Sequence, residues 1–571
     1  MKGPLPSRLS TMHGASRRGA VLFWAVLTIL AMGILGIGVI QLASTARETA
    51  FPAFAAPQAR LLAEAGLSHA RYVQCTDGWP DGLSRQLSPL PDATVTITRS
   101  GDDWTVLAVA FAGTAMEARA NLTGTVRDCG PPGGPNPPAA EYVVTSVNSF
   151  NTSGAKIYGD VAVLDEEFRI QKGGDGVIEG SVYAAEGVRL IGNGTVLGNI
   201  YTDGAVDIQQ GIVGAPGQPV EIHAGEEVEV GGSSKVYGTI YTGEDAEIGG
   251  GSEITGDIHA CTGSVEVGGS GNVIGNIFAF GEIEVSGGSS VSGDLHSLSD
   301  SIEISVAVGG SVYAGEDIEV ASRNRVMIGG DAHAGESIEL GRNARIGGNA
   351  TAGNAINRPG QVNGTTCAPC TPVPPTPATC PESFDFASLK PPPITTFSAG
   401  GPNFGSGSYR ESLALAPGSY GNINLNGFES SFRLSPGSYY FNDVRLGSSA
   451  RIYLDLSGGG EIRIFIKEDF RAGNNLQVFV SETGSPSSYE RAIDRNNGVA
   501  SVTAQIAERI YLEAHGAVSI TSAGEWFGSL HTPFDDLSIG NGSTVIGALF
   551  GRERIDIAGV TVRFIPPLYF Q

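Results

Sequence analysis

One short phrase returns through the middle of the chain and limits what that region can fold into. It consists of glycine, a small polar residue, an aliphatic residue and then, in most copies, Tyr, Phe or His. Apart from one double-length step between Gly198 and Gly238, successive copies lie 17 to 21 residues apart. A period this short, built from strand-length pieces, indicates stacked coils and not a series of domains. The copies begin at Gly159, Gly180, Gly198, Gly238, Gly256, Gly275, Gly293, Gly310, Gly330 and Gly348.

A second strand, an aliphatic-Glu-aliphatic triplet, lies between these copies. Period-2 alternation places the aliphatic residues on one face and the glutamates on the other. Glycine pairs supply the corners, because positive φ costs glycine little. About 18 residues with three corners make one triangular turn of a parallel β-helix, and roughly ten such coils make a rod on the order of 50 Å long. The triplets are centred on Glu229, Glu266, Glu284, Glu303, Glu319 and Glu339, with Glu247 between the first two.

The polar columns of this rod are open to two interpretations. Divalent cations take carboxylate oxygens, so Glu266, Glu284 and Glu303 are candidate metal ligands. The ladder lacks the Gly-Gly-x-Gly-x-Asp loop of calcium-binding β-rolls, which favours a solvated face, and no metal or other cofactor is expected. His259, His296 and His333 share a repeat position that holds Tyr or Phe in other coils. Their equivalence predicts an aromatic packing stack and not a metal site.

Composition excludes some functions. The net charge of −24 argues against a nucleic-acid partner, since phosphate binding needs a basic surface. The 82 glycines and 16% charged residues suit turns and ladders. β-Helices also host polysaccharide lyases and hydrolases, which need acids grouped in a groove. The regular repeats offer no long loops for a cleft, so the sequence predicts that the protein is not an enzyme.

The N-terminus predicts export. Residues 1–18 carry four basic residues and no acidic one, and 19–40 form an uncharged, mostly aliphatic run. Twenty-two residues can cross a bilayer as a helix. The basic flank should stay in the cytoplasm, which places the rest of the chain outside the inner membrane as a single-pass protein. A cleavable secretory signal is the alternative.

The leader, Gly19, the apolar run and Ala63-Glu64-Ala65-Gly66-Leu67 resemble the N-terminus of PilX-like minor pilins and type IV pilus assembly proteins. In such proteins a prepilin peptidase cuts after a glycine that follows basic residues, and the apolar helix packs in the pilus core. The resemblance implies cleavage between Gly19 and Ala20, an extended helix through 19–74, and pilins or pilus assembly proteins as partners.

A small α+β head is predicted for 75–129, where short strands alternate. Cys75 and Cys129 bracket it, and outside the cytoplasm two such cysteines are expected to form a disulfide. Residues 130–139 are rich in proline and glycine and read as a linker.

The rod, assigned to 140–356, resembles bactofilins, polymer-forming bacterial proteins made of short β-helical coils with glycine corners. That resemblance implies self-association into a scaffold. Bactofilins are typically cytoplasmic, whereas this leader predicts export.

A second linker, rich in proline and cysteine, is predicted for 357–399. A structural zinc site needs four ligands, and only Cys380 lies near Cys367 and Cys370 in the sequence. These three cysteines therefore indicate a local disulfide instead of a zinc site. Cys261 is isolated in the rod. The sequence leaves open whether one thiol stays free and how the cysteines pair.

A second β-helical domain is predicted for 400–571. Its Pro436-Gly437-Ser438-Tyr439-Tyr440-Phe441 and Gly547-Ala548-Leu549-Phe550 resemble an uncharacterised β-helical domain at the C-terminus of many pilus-assembly-type proteins. The chain is therefore expected to be mainly β, with two β-helical domains after a transmembrane helix. The predicted function is a structural, minor pilin-like or pilus-assembly component of the bacterial envelope, with adhesion as an extension. The alternatives are a bactofilin-like scaffold and a polysaccharide-active enzyme.

Overall fold

The computed structural model describes 84–90, 93–100, 103–110, 118–125 and 142–565, the last range without 172–174, 322–325, 382–383, 387–388, 390, 495–498 and 501–503. The predicted leader, transmembrane helix and first linker lie outside these residues. The chain forms two compact units, Met1–Pro135 and Asn136–Gln571.

The described part of the first unit is an antiparallel four-stranded sheet. Its strands follow each other in chain order: Ser84–Leu90, Ala93–Ser100, Asp103–Ala110 and Ala118–Thr125. The segments predicted as strands, Ala93–Ile97 and Trp104–Val109, fall within the second and third of these. Ile97 is buried.

The second unit is a parallel β-solenoid of about 21 turns with about 19 residues per turn. Each turn contributes strands to three faces, which we call the aromatic, glutamate and third faces. The helical segments with described bounds are all 3₁₀ turns: Pro359–Gln361, Ser457–Gly459, Pro486–Ser488 and Ala504–Arg509.

The strand bounds follow by face, with Lys235–Thr242 shared by the third and aromatic faces. The aromatic face contains Val144–Ser146, Val161–Val163, Val182–Ala184, Ile200–Thr202, Val220–Ala224, Ile258–Ala260, Ile277–Ala279, Leu295–Ser297, Val312–Ala314, Ala332–Ala334, Ala350–Ala352, Thr366–Cys367, Gly418–Ser419, Gly437–Phe441, Ile462–Ile466, Ile510–Ala514, Ser529–Thr532 and Leu549–Gly551. The glutamate face contains Ser149–Ser153, Glu167–Ile170, Gly187–Ile191, Ala205–Gln209, Val228–Gly231, Ala246–Ile248, Val265–Val267, Ile283–Val285, Ile302–Ile304, Ile318–Val320, Ser337–Leu340, Ala355–Ile356, Asn422–Leu425, Asp443–Leu446, Phe470–Ala472, Val518–Ile520, Leu537–Ile539 and Arg554–Ala558. The third face contains Lys156–Tyr158, Val177–Ile178, Thr195–Val196, Ile212–Val213, Glu253–Thr255, Asn272–Val273, Ser290–Val291, Met327–Ile328, Arg345–Ile346, Ser412–Leu415, Ser431–Leu434, Arg451–Asp455, Gln477–Ser481, Glu525–Phe527, Thr544–Gly547 and Thr561–Phe564. Short antiparallel additions are Glu490–Arg491, Ile493–Asp494 and Val499–Ala500.

Each position of the repeated phrase has a structural reason. A Cβ on Gly275 would collide with the carbonyl oxygen of Gly256 in the preceding coil, so the close stacking of coils requires glycine there. The polar residue that follows satisfies the backbone of the next coil: Asp257 Oδ1 accepts from the Asn276 N–H at 2.7 Å, and Asn276 Oδ1 from the Asp294 N–H at 2.8 Å. The aliphatic residue is buried in the core, where it contributes roughly 1.5–3 kcal/mol before entropy is deducted.

The order of coils along the solenoid differs from the order of the chain. The first described coil pairs on one side with the next coil and on the other side with the last one. Val144–Ser146 pairs with Leu549–Gly551, Ser149–Ser153 with Arg554–Ala558, and Lys156–Tyr158 with Thr561–Phe564. Within the described residues 142–565, the chain thus begins in the middle of the rod and winds to one end near Cys367. It then returns to the other end and winds from there back to the first described coil.

The two β-helical regions predicted for 140–356 and 400–571 therefore form one solenoid with one continuous core. Repeat spacing carries no information about which coil of a second region stacks on the first. The predicted N-terminal helix lies outside the described residues.

Candidate functional site

The outward positions of the aromatic face carry a stack of nine rings. Neighbouring ring centroids are 4.5–5.3 Å apart and neighbouring planes lie within 17° of parallel. This separation follows from the spacing of hydrogen-bonded strands, which is about 4.8 Å. We call this stack the aromatic ladder: Tyr183, Tyr201, His223, Tyr241, His259, Phe278, His296, Tyr313 and His333.

His259, His296 and His333 occupy the ladder, as their shared repeat position predicted. His223 was missed, because its coil lacks the leading glycine and is hidden in the double-length step from Gly198 to Gly238. The alternation Val220-Glu221-Ile222-His223 was the signal that could have found it.

A strap covers the aromatic ladder. We define it as the described residues of 371–399, which carry the chain from Cys367 back to the opposite end of the rod. The N–H groups of Thr376 and Thr379 donate to Nδ1 of His296 and His259, each at 3.1 Å. Farther along, Phe384 packs against Tyr183 with centroids 4.7 Å apart. As the strap advances along the chain it therefore passes ladder residues of decreasing number, so it runs opposite to the direction in which these coils follow one another. Its prolines favour such an extended conformation.

Two disulfides fix this arrangement. Cys380 of the strap pairs with Cys261 of the solenoid, 119 residues earlier, and Cys367 pairs with Cys370. The local bond predicted for Cys380 is thus corrected to a long-range one, and Cys261 is not a free thiol. Sequence spacing could not reveal the pair, since only the returning strap brings Cys380 to Cys261. Cys75 and Cys129 lie outside the described residues.

Burial disfavours the protonated form of three ladder histidines. Burial lowers the pKa of His259, His296 and His333, and nearby aspartates only partly offset this effect. Because a backbone N–H donates to Nδ1 of His259 and of His296, that nitrogen must carry its lone pair. Protonation of either ring would therefore break its bond to the strap.

Stability should fall on acidification. The folded-state pKa of these histidines lies below the unfolded value, so their contribution is present above about pH 6.5 and is lost as pH falls through the lower folded pKa. We expect the melting temperature to decrease from about pH 7 to about pH 5, and the double variant His259→Phe/His296→Phe to show a flatter profile. Circular dichroism melts across this range measure both; equal slopes would contradict the role of these rings.

The predicted glutamate ladder also forms. Glu229, Glu247 and Glu266 are in register, and the column continues through Glu284, Glu303, Glu319 and Glu339. Two cavities of about 400 and 280 Å³ lie along it. Within the described residues, no group of three or more His, Cys, Asp or Glu side chains is arranged to hold a metal ion, and this includes the candidates Glu266, Glu284 and Glu303.

Burial and, to a smaller extent, repulsion disfavour the ionised form of two glutamates in this ladder. Burial, together with the charges of Glu303, Glu339 and Asp317, raises the pKa of Glu319. Burial and three neighbouring glutamates raise the pKa of Glu247 in the same way. At neutral pH the charges on Glu247 and Glu319 therefore oppose folding, and protonation of these two side chains in acid removes that cost.

Neutralising one rung should stabilise the protein. We expect Glu319→Gln to raise the melting temperature at pH 7, because the raised pKa marks a charge that the fold disfavours. The gain should disappear below the unfolded pKa, about 4.3, and shrink in high salt. Glu253→Gln is the matched control, since Glu253 lies between Lys235 and Asn272 on the third face. A larger gain from the control would refute the argument.

A buried polar cluster holds the C-terminal part of the strap through Thr395. Glu513 is fully buried in the outward column between Phe465 and His531. Its carboxylate accepts from the Thr395 N–H, His515 Nε2 and the Tyr511 hydroxyl, each at 2.9 Å. Burial alone would raise the pKa of Glu513, but the nearby His531 ring and the hydrogen bonds from Thr395 and His515 outweigh it and hold the pKa at about 2. No sequence motif indicates this cluster, because its members come from distant segments of the chain.

A cavity of about 510 Å³ lies beside this cluster, between the strap and the solenoid. Leu389, Pro391 and Ile394 of the strap form one wall, and Thr145 and Phe550 belong to the opposite wall. His531 also lines the cavity, so the polar cluster reaches it through that ring.

The predicted processing residues Gly19 and Ala20 lie outside the described part of the chain. Among the residues that the structure does describe, no helix combines the length and apolar character needed to cross a membrane.

No protein-family model and no curated protein sequence matches the chain. Among solved structures, the chain is similar to an ice-binding protein from an Antarctic Flavobacteriaceae bacterium, at 12% sequence identity and a TM-score of 0.18. The similarity covers 75% of this chain and 97% of that one. A superposition at this score supports no conclusion about function.

Proposed function

We propose that this protein is a structural component of the bacterial cell envelope that presents its solenoid outside the inner membrane. In this proposal it acts as a minor pilin-like or pilus-assembly component, and adhesion is an extension of that display role. The N-terminal membrane run tethers the chain, and the solenoid is the displayed part.

The observation that carries this proposal is the bond between Cys261 and Cys380. Disulfides persist in oxidising compartments and are rare in the cytosol. This bond ties the strap to the rod across 119 residues of chain, and it would be lost in a reducing compartment. Its place in the fold therefore favours an exported protein over a cytoplasmic scaffold.

Thiol trapping in cells tests the location. Cells producing the full chain are denatured in alkylating reagent, and the mass of the protein gives the number of blocked thiols. We expect Cys261 and Cys380 to escape alkylation. A chain lacking residues 1–40, which stays in the cytoplasm, is the control and should be alkylated at both. Alkylation of both cysteines in the full chain would end the exported interpretation.

The same mass measurement separates a pilus component from a tethered scaffold. A mature chain that starts at Ala20 in sheared surface material supports incorporation into a pilus or a related filament. A chain that starts at Met1 and occurs only in membranes supports a tethered solenoid. Protease added to spheroplasts supplies an independent check, because a protected rod would favour the bactofilin-like alternative.

The enzymatic alternative has one favourable feature, the carboxylates lined up along the glutamate face. From coil to coil, however, these groups repeat the same surroundings, whereas acid–base catalysis needs two carboxyls in contrasting environments. Saccharide turnover by the purified chain, abolished by Glu303→Gln, would restore this alternative.

A further inference from the structure

Histidine occurs at every second rung of the aromatic ladder from its third rung to its last. Neighbouring rings in this part of the ladder are 4.5–5.1 Å apart. Two successive histidines are therefore separated by two coils, which is about 9.6 Å at the ordinary spacing of hydrogen-bonded strands. Stacking alone does not require this alternation, because Tyr and Phe fill the same positions. The alternating histidines are His223, His259, His296 and His333.

The strap above these rungs has a period of three residues. Between Thr371 and Pro381 the half-buried residues are Pro372, Pro375, Ala378 and Pro381, and the residues between them are exposed. Three residues per turn is the period of the polyproline II helix, which rises about 3.1 Å per residue and so advances about 9.3 Å per turn. One turn of the strap thus matches two coils of the solenoid in length.

Both hydrogen bonds between the strap and the histidines follow this register. The donors Thr376 and Thr379 are three residues apart, and their acceptors, Nδ1 of His296 and of His259, are two coils apart. The side chains of both threonines are exposed, so it is the backbone N–H that turns toward the rings.

The next step of the register has a donor and an acceptor that are not yet joined. Three residues before Thr376 lies Val373, and two coils beyond His296 lies His333. His333 is 8% exposed, and within the described part of the chain no group hydrogen-bonds to its Nδ1. A buried polar atom without a partner costs free energy, which a backbone donor would recover.

We propose that the aromatic ladder is a recognition surface for a proline-rich segment in the polyproline II conformation, in which each turn of the segment donates one backbone N–H to one histidine, and that Val373 is the donor for Nδ1 of His333. Residues 371–381 of the strap are the ligand of this surface. Aromatic grooves bind proline-rich segments in the same conformation in other recognition modules.

This surface sets a rule for its ligand. Every third residue must keep its N–H, whereas proline is accepted at the positions between. The strap obeys the rule: prolines occupy 372, 374, 375, 377 and 381 and are absent from 373, 376 and 379. The proposal is independent of the display role proposed above.

Removing one donor at a time tests the register. Thr376→Pro keeps the extended path, because the φ of proline suits the polyproline II helix, but it deletes the N–H. A donor to Nδ1 favours the neutral ring and lowers its pKa. We therefore expect the pKa of His296 to rise toward its ordinary value of about 6.5 in this variant, while His259 is unchanged. Thr379→Pro should do the reverse. Nuclear magnetic resonance titration of the full-length protein, labelled in its histidine rings, measures both.

Val373→Pro tests the third donor and should raise the pKa of His333 alone. Pro377→Ala is the matched control, since it changes an exposed proline between two donor positions and should move none of the three histidines. The charged neighbours of these rings, Asp257, Asp294 and Asp331, remain in every variant. Residues 371–381 add no titratable side chain, because Cys380 is disulfide-bonded.

All four substitutions lie outside the solenoid core, so the coils should fold in each variant. The proposal is overturned by an unchanged pKa of His296 in Thr376→Pro or of His333 in Val373→Pro. It is also overturned by equal shifts of all three histidines in any one variant, because that result would indicate general loosening of the strap and not the loss of one donor.

Discussion

Replacing both Cys261 and Cys380 with serine is expected to lower the free energy of unfolding by about 5 kcal/mol. The bond joins residues 119 positions apart, and a cross-link over a loop of this length removes a large conformational entropy from the unfolded chain. The double replacement leaves no unpaired thiol. The strap would keep its contacts to the ladder, so the solenoid should still fold.

Denaturant unfolding under oxidising conditions measures this loss. The pair Cys367 and Cys370 is the matched control, since it closes a loop of three residues, and its replacement should cost only about 1.5 kcal/mol by the same entropy argument. Equal losses from the two pairs would show that the long loop is already constrained in the unfolded chain.

Phe150→Ala is expected to cost about 3–5 kcal/mol, although Phe150 lies in the first described coil. Its side chain is fully buried, stacks on Phe168 at 5.4 Å between centroids, and its strand neighbour on the other side is Ile555 from the last coil. The cavity left by the substitution would therefore open inside a continuous core.

Phe404→Ala is the matched control for this experiment. Phe404 is only partly buried and lies near the end of the rod where the coils of the C-terminal region begin. Its truncation should cost clearly less than that of Phe150, because less apolar surface is covered there. In a chain with two separate β-helices both phenylalanines would lie in terminal coils, and similar losses would favour that arrangement over the single solenoid.

Much of the architecture could be predicted from local pattern. The period of the phrase beginning at Gly256 and Gly275 identified the coils, because each coil solves the same packing problem and so repeats the same residues. The alternation around Glu266 and Glu284 likewise predicted the outward column. His259 and His296 were placed in a ring stack from repeat position alone, since equivalent positions in stacked coils must lie one above another.

The candidate sites depended on contacts between distant segments, and here the sequence offered little. Nothing near Cys380 indicates that it meets Cys261, and nothing near Glu513 indicates that Thr395 will donate to it. Both contacts arise from the path of the strap, whose prolines predict an extended segment but not the surface that it covers.

By itself, the sequence determined the coil, the corners, and the outward columns of rings and carboxylates, because these follow from interactions that repeat every coil and act over a few residues. Only the tertiary structure decided that Leu549–Gly551 stacks on Val144–Ser146, so that two repeat regions share one core. Every terminal coil exposes the same unpaired backbone N–H and C=O groups at its edge. The local sequence pattern therefore does not determine which other coil pairs with that edge. The disulfide and the cavity beside Thr145 both follow from that choice of partner.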